Sequence, residues 1–276
     1  EQCKPWTVCD INSTEVELVT PNLAVNRVCG CAEDHHVHGF YGDVSSSLQH
    51  TCAIVSDKTV KCWGQNSRGQ LGTGDTTDSL SPRAVVNLTG AVKIATLGSA
   101  TCALLEDNNI KCWGFNNKGQ LGNDDTTDSL VPVSVVKDSL PDNAVITDLE
   151  CGDTHCCILV DSDSVTGKPF CWGSNTGKQL GHDRHETLNY APTEVYYISD
   201  VIQLKLGVAY SFALKADGTL WSWGSHSNGL MRSHGQMGNV VGQTNHVARQ
   251  NTYVSGVAEI DMSYSHICVR MHDGTI

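Results

Sequence analysis

The sequence predicts an all-β protein: a β-propeller of four-stranded blades that follows a small disulfide-rich segment. Trp-Gly pairs recur about every 50 residues, a short glycine-rich word follows each pair, and strand-like segments recur in step with both. A repeat of this length with strand-like sequence is typical of propellers and related arrays. The four pairs are Trp63-Gly64, Trp113-Gly114, Trp172-Gly173 and Trp223-Gly224.

The word that follows each pair is Gly-Gln-Leu-Gly or a close variant. It occurs at residues 69–72, 119–122, 179–181 (Gln-Leu-Gly) and 235–238 (Gly-Gln-Met-Gly). The first two units are nearly copies, because segment 75–80 returns unchanged as 125–130 and each copy is followed by a proline, Pro82 or Pro132. Together the pair and the word form the repeat signature.

Each unit reads as four short strands separated by glycine and asparagine, which turns favour. In the second unit the expected strands are residues 92–95, 101–105, 110–113 and 133–136. One small sheet cannot bury its own faces, so the units must stack, and a closed ring of blades achieves this with short edges. We therefore predict a cysteine-rich spacer and linker at residues 1–38 and a propeller at 39–276, with four full blades and the start of a fifth.

These residues resemble the regulator-of-chromosome-condensation repeat family. The resemblance rests on a small-residue strand at 50–54, then Val-x-x-Trp-Gly, then Gly-Gln-Leu-Gly-x-x-Asp-Thr-Thr, and it covers residue 39 to the end. Members of that family are commonly seven-bladed propellers. The resemblance therefore implies seven blades in the complete domain, with further blades beyond residue 276.

The cysteine spacing predicts disulfides across hairpins. The chain has 13 cysteines, which is many for a cytosolic propeller. With a three-residue loop, Cys52 lies directly opposite Cys62, and Cys102 lies directly opposite Cys112. Such loops place their last residue in the left-handed backbone region, which suits Asn108. Directly opposed strand residues have the short separation that a disulfide needs.

The third and fourth units test this pattern within the sequence itself. The third keeps the pair as Cys157 and Cys171 around a longer turn. In the fourth, the same register pairs Phe212 with Ser222, so both cysteines are absent together. Joint presence and joint absence favour disulfides over buried thiols, and disulfides indicate an oxidising compartment. We therefore predict an extracellular location, either secreted or at a cell surface.

Two of the remaining cysteines have no assigned partner, and a third lies near the end of the chain. Cys151 and Cys156 either bond each other or reach back to the N-terminal segment. Cys268 belongs to a fifth hairpin whose register places its partner at position 278, so we expect the natural polypeptide to continue beyond Ile276.

The first 31 residues resemble the cysteine-rich modules of the tumour necrosis factor receptor type. The resemblance implies an extracellular segment and carries over no ligand. Its four cysteines allow three connectivities, and the sequence does not choose among them. These cysteines are Cys3, Cys9, Cys29 and Cys31.

Two Asn-x-Ser/Thr sequons, at Asn12 and Asn87, agree with secretion and predict N-linked glycans. The sequence shows no transmembrane run, so no membrane insertion is expected within this segment. The net charge is −12 and no basic stripe occurs, whereas nucleic-acid binding depends on clustered positive charge. We therefore expect no nucleic-acid partner.

No catalytic residue, cofactor or metal site is predicted. The chain has no Walker-type loop and no nucleophile elbow. Loops 74–75 and 124–125 lack the carboxylate density of a calcium cage, so we read them as turns. The tryptophans could stack on sugars but are better explained as packing between blades. Two histidine groups could bind a metal, but a polar linker explains the first better and a solvated loop the second: His35, His36 and His38, and His182 with His185.

The leading functional prediction is a non-catalytic structural or interaction domain of a secreted, disulfide-bonded surface, fibre or matrix glycoprotein. Its partners would be other protein chains, through self-assembly or an extracellular partner. The alternative is a secreted propeller that captures or inhibits a protein or glycan, which predicts an aromatic-rich concave face. An enzyme would instead predict convergent acids in the central channel.

Overall fold

A computed structural model describes residues 42–183, 186–225, 245–262 and 267–276. All of them belong to one unit of the chain, His36–Ile276. The predicted cysteine-rich module, the sequon at Asn12, the boundary at residues 38 and 39, and the repeat word at 235–238 lie outside the described residues. So do the histidines at positions 35, 36, 38 and 185.

The described residues form four four-stranded antiparallel sheets and one two-stranded sheet, with no helix among them. This confirms the predicted all-β propeller architecture of four full blades and the start of a fifth. Blade 1 contains β1 (Val44–Ser46), β2 (His50–Ile54), β3 (Val60–Gly64) and β4 (Ser79–Ala84). Blade 2 contains β5 (Ala91–Leu97), β6 (Ala100–Leu105), β7 (Ile110–Gly114) and β8 (Ser129–Ser134).

The later blades repeat this plan. Blade 3 contains β9 (Val145–Cys151), β10 (His155–Ser162), β11 (Val165–Ser174) and β12 (Leu188–Glu194). Blade 4 contains β13 (Val201–Leu206), β14 (Tyr210–Lys215), β15 (Thr219–Gly224) and β16 (Asn245–Ser255). The two-stranded sheet contains β17 (Val257–Met262) and β18 (Ile267–Met271). In each full blade the strands pair in chain order.

The first strands of successive blades contact one another, from β1 through β5, β9 and β13 to β17. They therefore form the inner layer, and the fourth strands form the outer edge. The expected fourth strand at 133–136 was wrong in its position, since β8 runs from Ser129 to Ser134 and contains Pro132. An edge strand has N–H groups that face away from the sheet, so it tolerates a proline. Pro82 in β4 and Pro192 in β12 occupy the same kind of position.

The hydrophobic core lies between blades. One buried cluster joins the side chains of Ile54, Val60 and Leu71 in blade 1 to Ile94 and Trp113 in blade 2. Equivalent clusters join blade 2 to blade 3, blade 3 to blade 4, and blade 4 to the two-stranded sheet. Each blade therefore buries one face against the blade before it and the other against the blade after it, as the stacking argument requires.

Candidate functional site

The hairpin between the second and third strands of each blade has the register that the spacing predicts. Cys52 lies opposite Cys62, and Cys102 opposite Cys112. Each pair forms a disulfide with its Cα atoms 4.1 Å apart. The last loop residue is left-handed in both hairpins, with φ of 60° at Lys58 and 63° at Asn108. A two-residue sequence pattern thus fixes the turn, the register and the bond together.

The third hairpin also carries its predicted disulfide, between Cys157 and Cys171. In the fourth, Phe212 lies opposite Ser222, as the register argument requires. The cysteines that the sequence left open bond each other, because Cys151 on β9 lies opposite Cys156 on β10. Cys268 is exposed and forms no disulfide among the described residues.

The two halves of the repeat signature form one joint between neighbouring blades. The indole Nε1 of Trp113 in blade 2 donates a hydrogen bond of 2.9 Å to the carbonyl oxygen of Gln70 in blade 1. Trp172 donates in the same way to Gln120, and Trp223 donates to Gln179.

These three tryptophans are fully buried, so they serve packing between blades and present no ring face to a sugar. Trp63, by contrast, is half-buried.

Close approach explains the glycines of the signature. A Cβ atom on Gly72 would lie 2.7 Å from Nε1 of Trp113, and one on Gly122 would lie 2.7 Å from Nε1 of Trp172. The glycine after each tryptophan has φ between 102° and 111°, a region that favours glycine. A Cβ there would meet a backbone oxygen of the preceding segment at 2.5 to 2.6 Å; these glycines are Gly64, Gly114, Gly173 and Gly224.

A second set of buried polar groups completes the joint. The Thr101 hydroxyl in blade 2 donates to the carbonyl oxygen of Gln70 at 2.9 Å, and it lies 2.8 Å from Nε2 of His50. Because the hydroxyl proton points to Gln70, the imidazole Nε2 carries the proton that it shares with Thr101. The same arrangement joins His155 to Ser211 at 2.9 Å, and Ser211 to Gln179 at 3.0 Å.

Burial keeps both imidazoles neutral. It lowers the pKa of His50 to about 4, although a hydrogen bond to the Ala100 backbone acts in the opposite direction. It lowers the pKa of His155 to about 3. Nδ1 of His155 is buried without a hydrogen-bond partner. These histidines are therefore structural links between blades and not proton-transfer groups near neutral pH.

Ion pairs join the inner strands of successive blades. Lys93 on β5 pairs with Asp148 on β9. Lys205 on β13 pairs with Glu150 on β9 at 3.1 Å and with Asp261 on β17 at 3.7 Å. These ion pairs between inner strands, called the belt below, were not predicted from the sequence. The period-two spacing of Asp148 and Glu150 does place both residues on one face of their strand. Finding their lysine partners requires the order of the blades.

The electrostatics of the belt are those of a partly buried ion pair. Burial raises the pKa of Glu150, and the nearby lysines offset this only in part. Burial lowers the pKa of Lys205, but the combined effect of Glu150, Asp261 and Asp148 outweighs it, so the net pKa of Lys205 is raised. The pair thus stabilises the charged lysine without offsetting the full cost of burying the carboxylate. Asp148 and Glu150 are consequently bound to cations rather than poised as a catalytic acid and base.

The candidate metal ligands that the structure describes are engaged elsewhere. Asp75 accepts two hydrogen bonds from Arg83, at 3.1 and 2.6 Å, and this guanidinium lowers the pKa of Asp75. The carboxylate of Asp125 accepts backbone N–H bonds of its own turn. His182 is fully buried and lies 3.2 Å from the amide of Asn189, so the expectation of a solvated loop was wrong at this residue. The carboxylates of both acidic loops are thus engaged by an arginine or by the backbone of their own loop.

Among the described residues, one group of three potential metal ligands is close enough to share an ion: the sulfurs of Cys102, Cys151 and Cys156. All three sulfurs are engaged in disulfides. Asn87, the predicted glycan acceptor, is exposed in the turn between β4 and β5 with φ of 53°. No helix in the part of the chain that the structure describes is long and apolar enough to cross a membrane.

Two solved structures share this architecture. Prp20p from Saccharomyces cerevisiae superposes with a TM-score of 0.63 at 23% identity, covering 76% of this chain and 50% of that one. Human WBSCR16 gives a TM-score of 0.65 at 20% identity, covering 82% of this chain and 56% of that one. At these identities the likeness shows the fold alone.

This chain matches only part of the length of its curated relatives. The Ultraviolet-B receptor UVR8 of Arabidopsis thaliana is 30% identical over 188 residues, which cover 67% of this chain and 42% of UVR8. The Probable E3 ubiquitin-protein ligase HERC6 of Homo sapiens is 29% identical over 237 residues, which cover 84% of this chain and 17% of HERC6. The chain thus spans less than half the length of these relatives.

The family comparison agrees with the geometry of the joint. The Regulator of chromosome condensation (RCC1) repeat matches residues 59–104, 109–159 and 166–214, and a second description of this repeat matches 43–70 and 92–120. These segments contain three of the four Trp-Gly pairs and the glycine-rich words that they contact. They cover more than half of the sequence, and the chain therefore belongs to the RCC1 repeat family.

Proposed function

We propose that this propeller is a rigid, non-catalytic interaction domain of a secreted or cell-surface glycoprotein. The observation that carries the proposal is the disulfide in each of the first three hairpins. Every one of these bonds faces the next blade and is fully buried. A bond between two strands of one hairpin stiffens its own blade, and such bonds persist in an oxidising compartment.

The inner strands support a non-catalytic role. A catalytic site needs ionisable groups that perturb each other in a solvent-accessible pocket. Asp148 and Glu150 are each paired with a lysine from a neighbouring blade. The buried histidines His50 and His155 lie in the joint between blades, where a substrate has no access. The acids of the inner strands are thus used to hold blades together.

A protein chain is the partner class that we propose. Prp20p is described by its binding to Gsp1p and histones, which are partners of that protein. Fold alone does not transfer partners, so the proposal for this chain is limited to another extracellular protein or a second copy of the same one. The cysteine-rich N-terminal segment and the sequons at Asn12 and Asn87 support the extracellular setting.

Mapping and cross-linking of extracellular material that contains the native protein test this proposal together. Peptide mapping without reduction should recover Cys52 linked to Cys62 and Cys157 linked to Cys171, and glycopeptide analysis should find sugar on Asn87. Cross-links should join propeller lysines to other polypeptides through contacts of more than ~1,000 Å². A monomer that lacks such contacts and turns over a glycan or peptide contradicts the proposal.

Exposed aromatic residues favour the capture of a partner as a second candidate. Tyr197 and Tyr253 are each 77% exposed. Both follow or lie on outer strands, whereas the prediction placed aromatic residues on a concave face. Substitution of both tyrosines by serine should weaken partner binding if this candidate holds. A double variant with serine at the exposed positions Thr166 and Thr275 is the surface control.

A further inference from the structure

Two disulfides meet at the interface between blades 2 and 3. Sγ of Cys102 lies 3.9 Å from Sγ of Cys156, although each sulfur is bonded to another cysteine. The sulfurs of Cys102, Cys151 and Cys156 all lie within 4.8 Å of one another. A bond of about 2 Å between Cys102 and Cys156 would thus need a closing movement of about 2 Å.

A single residue position accounts for this contact. Cys156 takes the place that a hydroxyl residue takes in the other full blades: Thr51, Thr101 and Ser211. Between blades 1 and 2, Sγ of Cys52 lies 3.8 Å from the Thr101 hydroxyl. Because a hydroxyl does not exchange with a disulfide, that interface has the same geometry without the chemistry.

The change at this position also alters the hydrogen bonding of the joint. The carbonyl oxygen of Gln70 accepts from both Trp113 and Thr101. The equivalent carbonyl of Gln120 accepts from Trp172, and Cys156 is not a hydroxyl donor. The interface between blades 2 and 3 therefore has a sulfur contact where the others have a hydroxyl bond.

One of the sulfur-bearing residues gives access from solvent. Seven of the eight cysteines in the disulfides of the described residues are fully buried, and Cys151 alone is half-buried. An incoming thiolate therefore meets Cys151 first. Attack at that sulfur releases the thiolate of Cys156, whose Sγ lies 3.9 Å from Sγ of Cys102.

We propose that Cys102, Cys112, Cys151 and Cys156 form a thiol–disulfide exchange site whose substrate is a dithiol. One thiolate of the dithiol attacks Cys151 and releases the thiolate of Cys156. The second thiol displaces Cys151, which leaves as a thiol, and the dithiol becomes a cyclic disulfide. The Cys156 thiolate then attacks Cys102, forms the Cys102–Cys156 bond and releases Cys112, which takes up a proton.

The balance of this sequence is one disulfide lost and one moved. Two bonds within blades and one dithiol give one bond between blades, two thiols at Cys112 and Cys151, and one oxidised dithiol. The product links blade 2 to blade 3 covalently. Cys52–Cys62 and Cys157–Cys171 should not take part, because the thiolate that the first step releases is Cys156, which lies against Cys102.

Controlled reduction tests the exchange. The chain is first oxidised with glutathione disulfide and then treated with about one molar equivalent of dithiothreitol. It is trapped with N-ethylmaleimide in acid and mapped without reduction. The expected map has Cys102 linked to Cys156, with Cys112 and Cys151 alkylated. Alkylation of Cys151 and Cys156 with Cys102–Cys112 intact overturns the proposal, as does the simultaneous opening of all four disulfides.

Two variants sharpen this test. The double variant C151S/C156T restores the threonine that blade 2 has at this position, and Cys102–Cys112 should then resist dithiothreitol as well as Cys52–Cys62 does, about tenfold better than in the parent. The double variant C112A/C151A leaves Cys102 and Cys156 as the two remaining cysteines of the exchange site, and these should form the inter-blade disulfide on oxidation. Recovery of these two as free thiols from a folded C112A/C151A chain contradicts the proposal.

Discussion

Blades 2 and 4 fill the same position with different chemistry. In blade 2 the Cys102–Cys112 disulfide occupies the centre of the hairpin and packs towards blade 3. In blade 4 Phe212 lies opposite Ser222 in the same register and packs towards the two-stranded sheet. All four residues are 0 to 1% exposed. The position therefore requires a buried group that faces the next blade, and a disulfide is one of two ways to supply it.

The two solutions stabilise the fold by different routes. A disulfide acts mainly by restricting the unfolded chain. An aromatic side chain acts in the folded state, through the apolar area that it buries. Phe212 also packs edge-to-face against Tyr210, with ring centroids 5.9 Å apart. In blade 3 the equivalent residues are Cys157 and His155, so blade 4 replaces a disulfide and an imidazole with an aromatic pair.

Phe212→Ala should destabilise blade 4, where Phe212 and Ser222 take the place of the hairpin disulfide. It should have the largest effect on the free energy of unfolding. Removal of a buried phenyl ring costs about 3–5 kcal/mol of unfolding free energy. Guanidinium unfolding followed by tryptophan fluorescence measures the loss. Phe212→Leu serves as the control, because it keeps most of the buried volume. An alanine variant as stable as the parent would show that the aromatic ring does not replace the disulfide.

Removing the hairpin disulfide of blade 2 should lower the free energy of unfolding by less than removing the phenyl ring of Phe212. In the double variant C102A/C112A no disulfide closes this loop in the unfolded chain. We therefore expect the free energy of unfolding to fall by about 2–3 kcal/mol. Chemical unfolding with and without a reducing agent gives the value, and the reductant should no longer act at this blade. Cys268→Ala is the matched control, since that cysteine is exposed and unbonded among the described residues. Equal losses in both variants would contradict the comparison.

Hairpin geometry could be predicted from the sequence because it is local. The spacing of Cys52 and Cys62 and the three-residue loop together fix the register, and the same rule placed Phe212 opposite Ser222. The position of β8 could not be derived in this way. Its edge location removes the penalty on Pro132, and a sequence window does not reveal which strand lies at the edge.

The joint between blades depends on contacts that sequence order hides. The Trp-Gly pair and the glycine-rich word are both visible as repeats. That Trp113 donates to Gln70 of the preceding blade is not visible, because it requires the stacking order and the hand of the ring. The same reason explains why the approach of Cys102 to Cys156 was missed, because these two cysteines lie in different blades, whereas Cys151 and Cys156 bond within one blade. Repetition reveals which residues matter, whereas the assembled blades reveal what they contact.

Acid should weaken blades 1 and 3, which carry the buried histidines, and leave the aromatic pair of blade 4 unaffected. The pKa of His50 in the fold is about 4 and that of His155 is about 3, both below the ordinary value of 6.5. The unfolded chain therefore binds more protons as the pH falls below 6.5, and the free energy of unfolding decreases. Each histidine contributes a loss of about 2 kcal/mol between about pH 6.5 and 5. The ordinary pKa of a tyrosine is about 10, well above that range.

Urea unfolding at several pH values measures this dependence. His50→Ala and His155→Ala should each reduce the slope of unfolding free energy against pH, whatever their effect at pH 7. Blade 2 has Ala100 at the equivalent position, so alanine is compatible with the strand. Tyr210→Ala is the control and should lower stability without changing the slope. An unchanged slope in both histidine variants would mean that these imidazoles are not buried in the neutral form.

The smallest predicted effect concerns the boundary between the stapled and aromatic blades, where Lys205 of blade 4 pairs with Glu150 of blade 3. Lys205→Met keeps the aliphatic stem but leaves a partly buried carboxylate unpaired, at a cost of about 1 kcal/mol at neutral pH. Burial already raises the pKa of Glu150. Loss of the lysine raises this pKa further. The cost of the substitution should therefore disappear as the pH falls through the pKa of Glu150 and the carboxyl becomes neutral.

Adding Glu150→Gln to Lys205→Met should restore stability at neutral pH, because an amide needs no cation. Urea unfolding of the single and double variants at neutral and acidic pH separates these effects. A double variant as unstable as K205M would show that the lysine acts by packing, and the hydrogen bonds from Trp223 and Ser211 to Gln179 would then be the polar contacts that hold these two blades together.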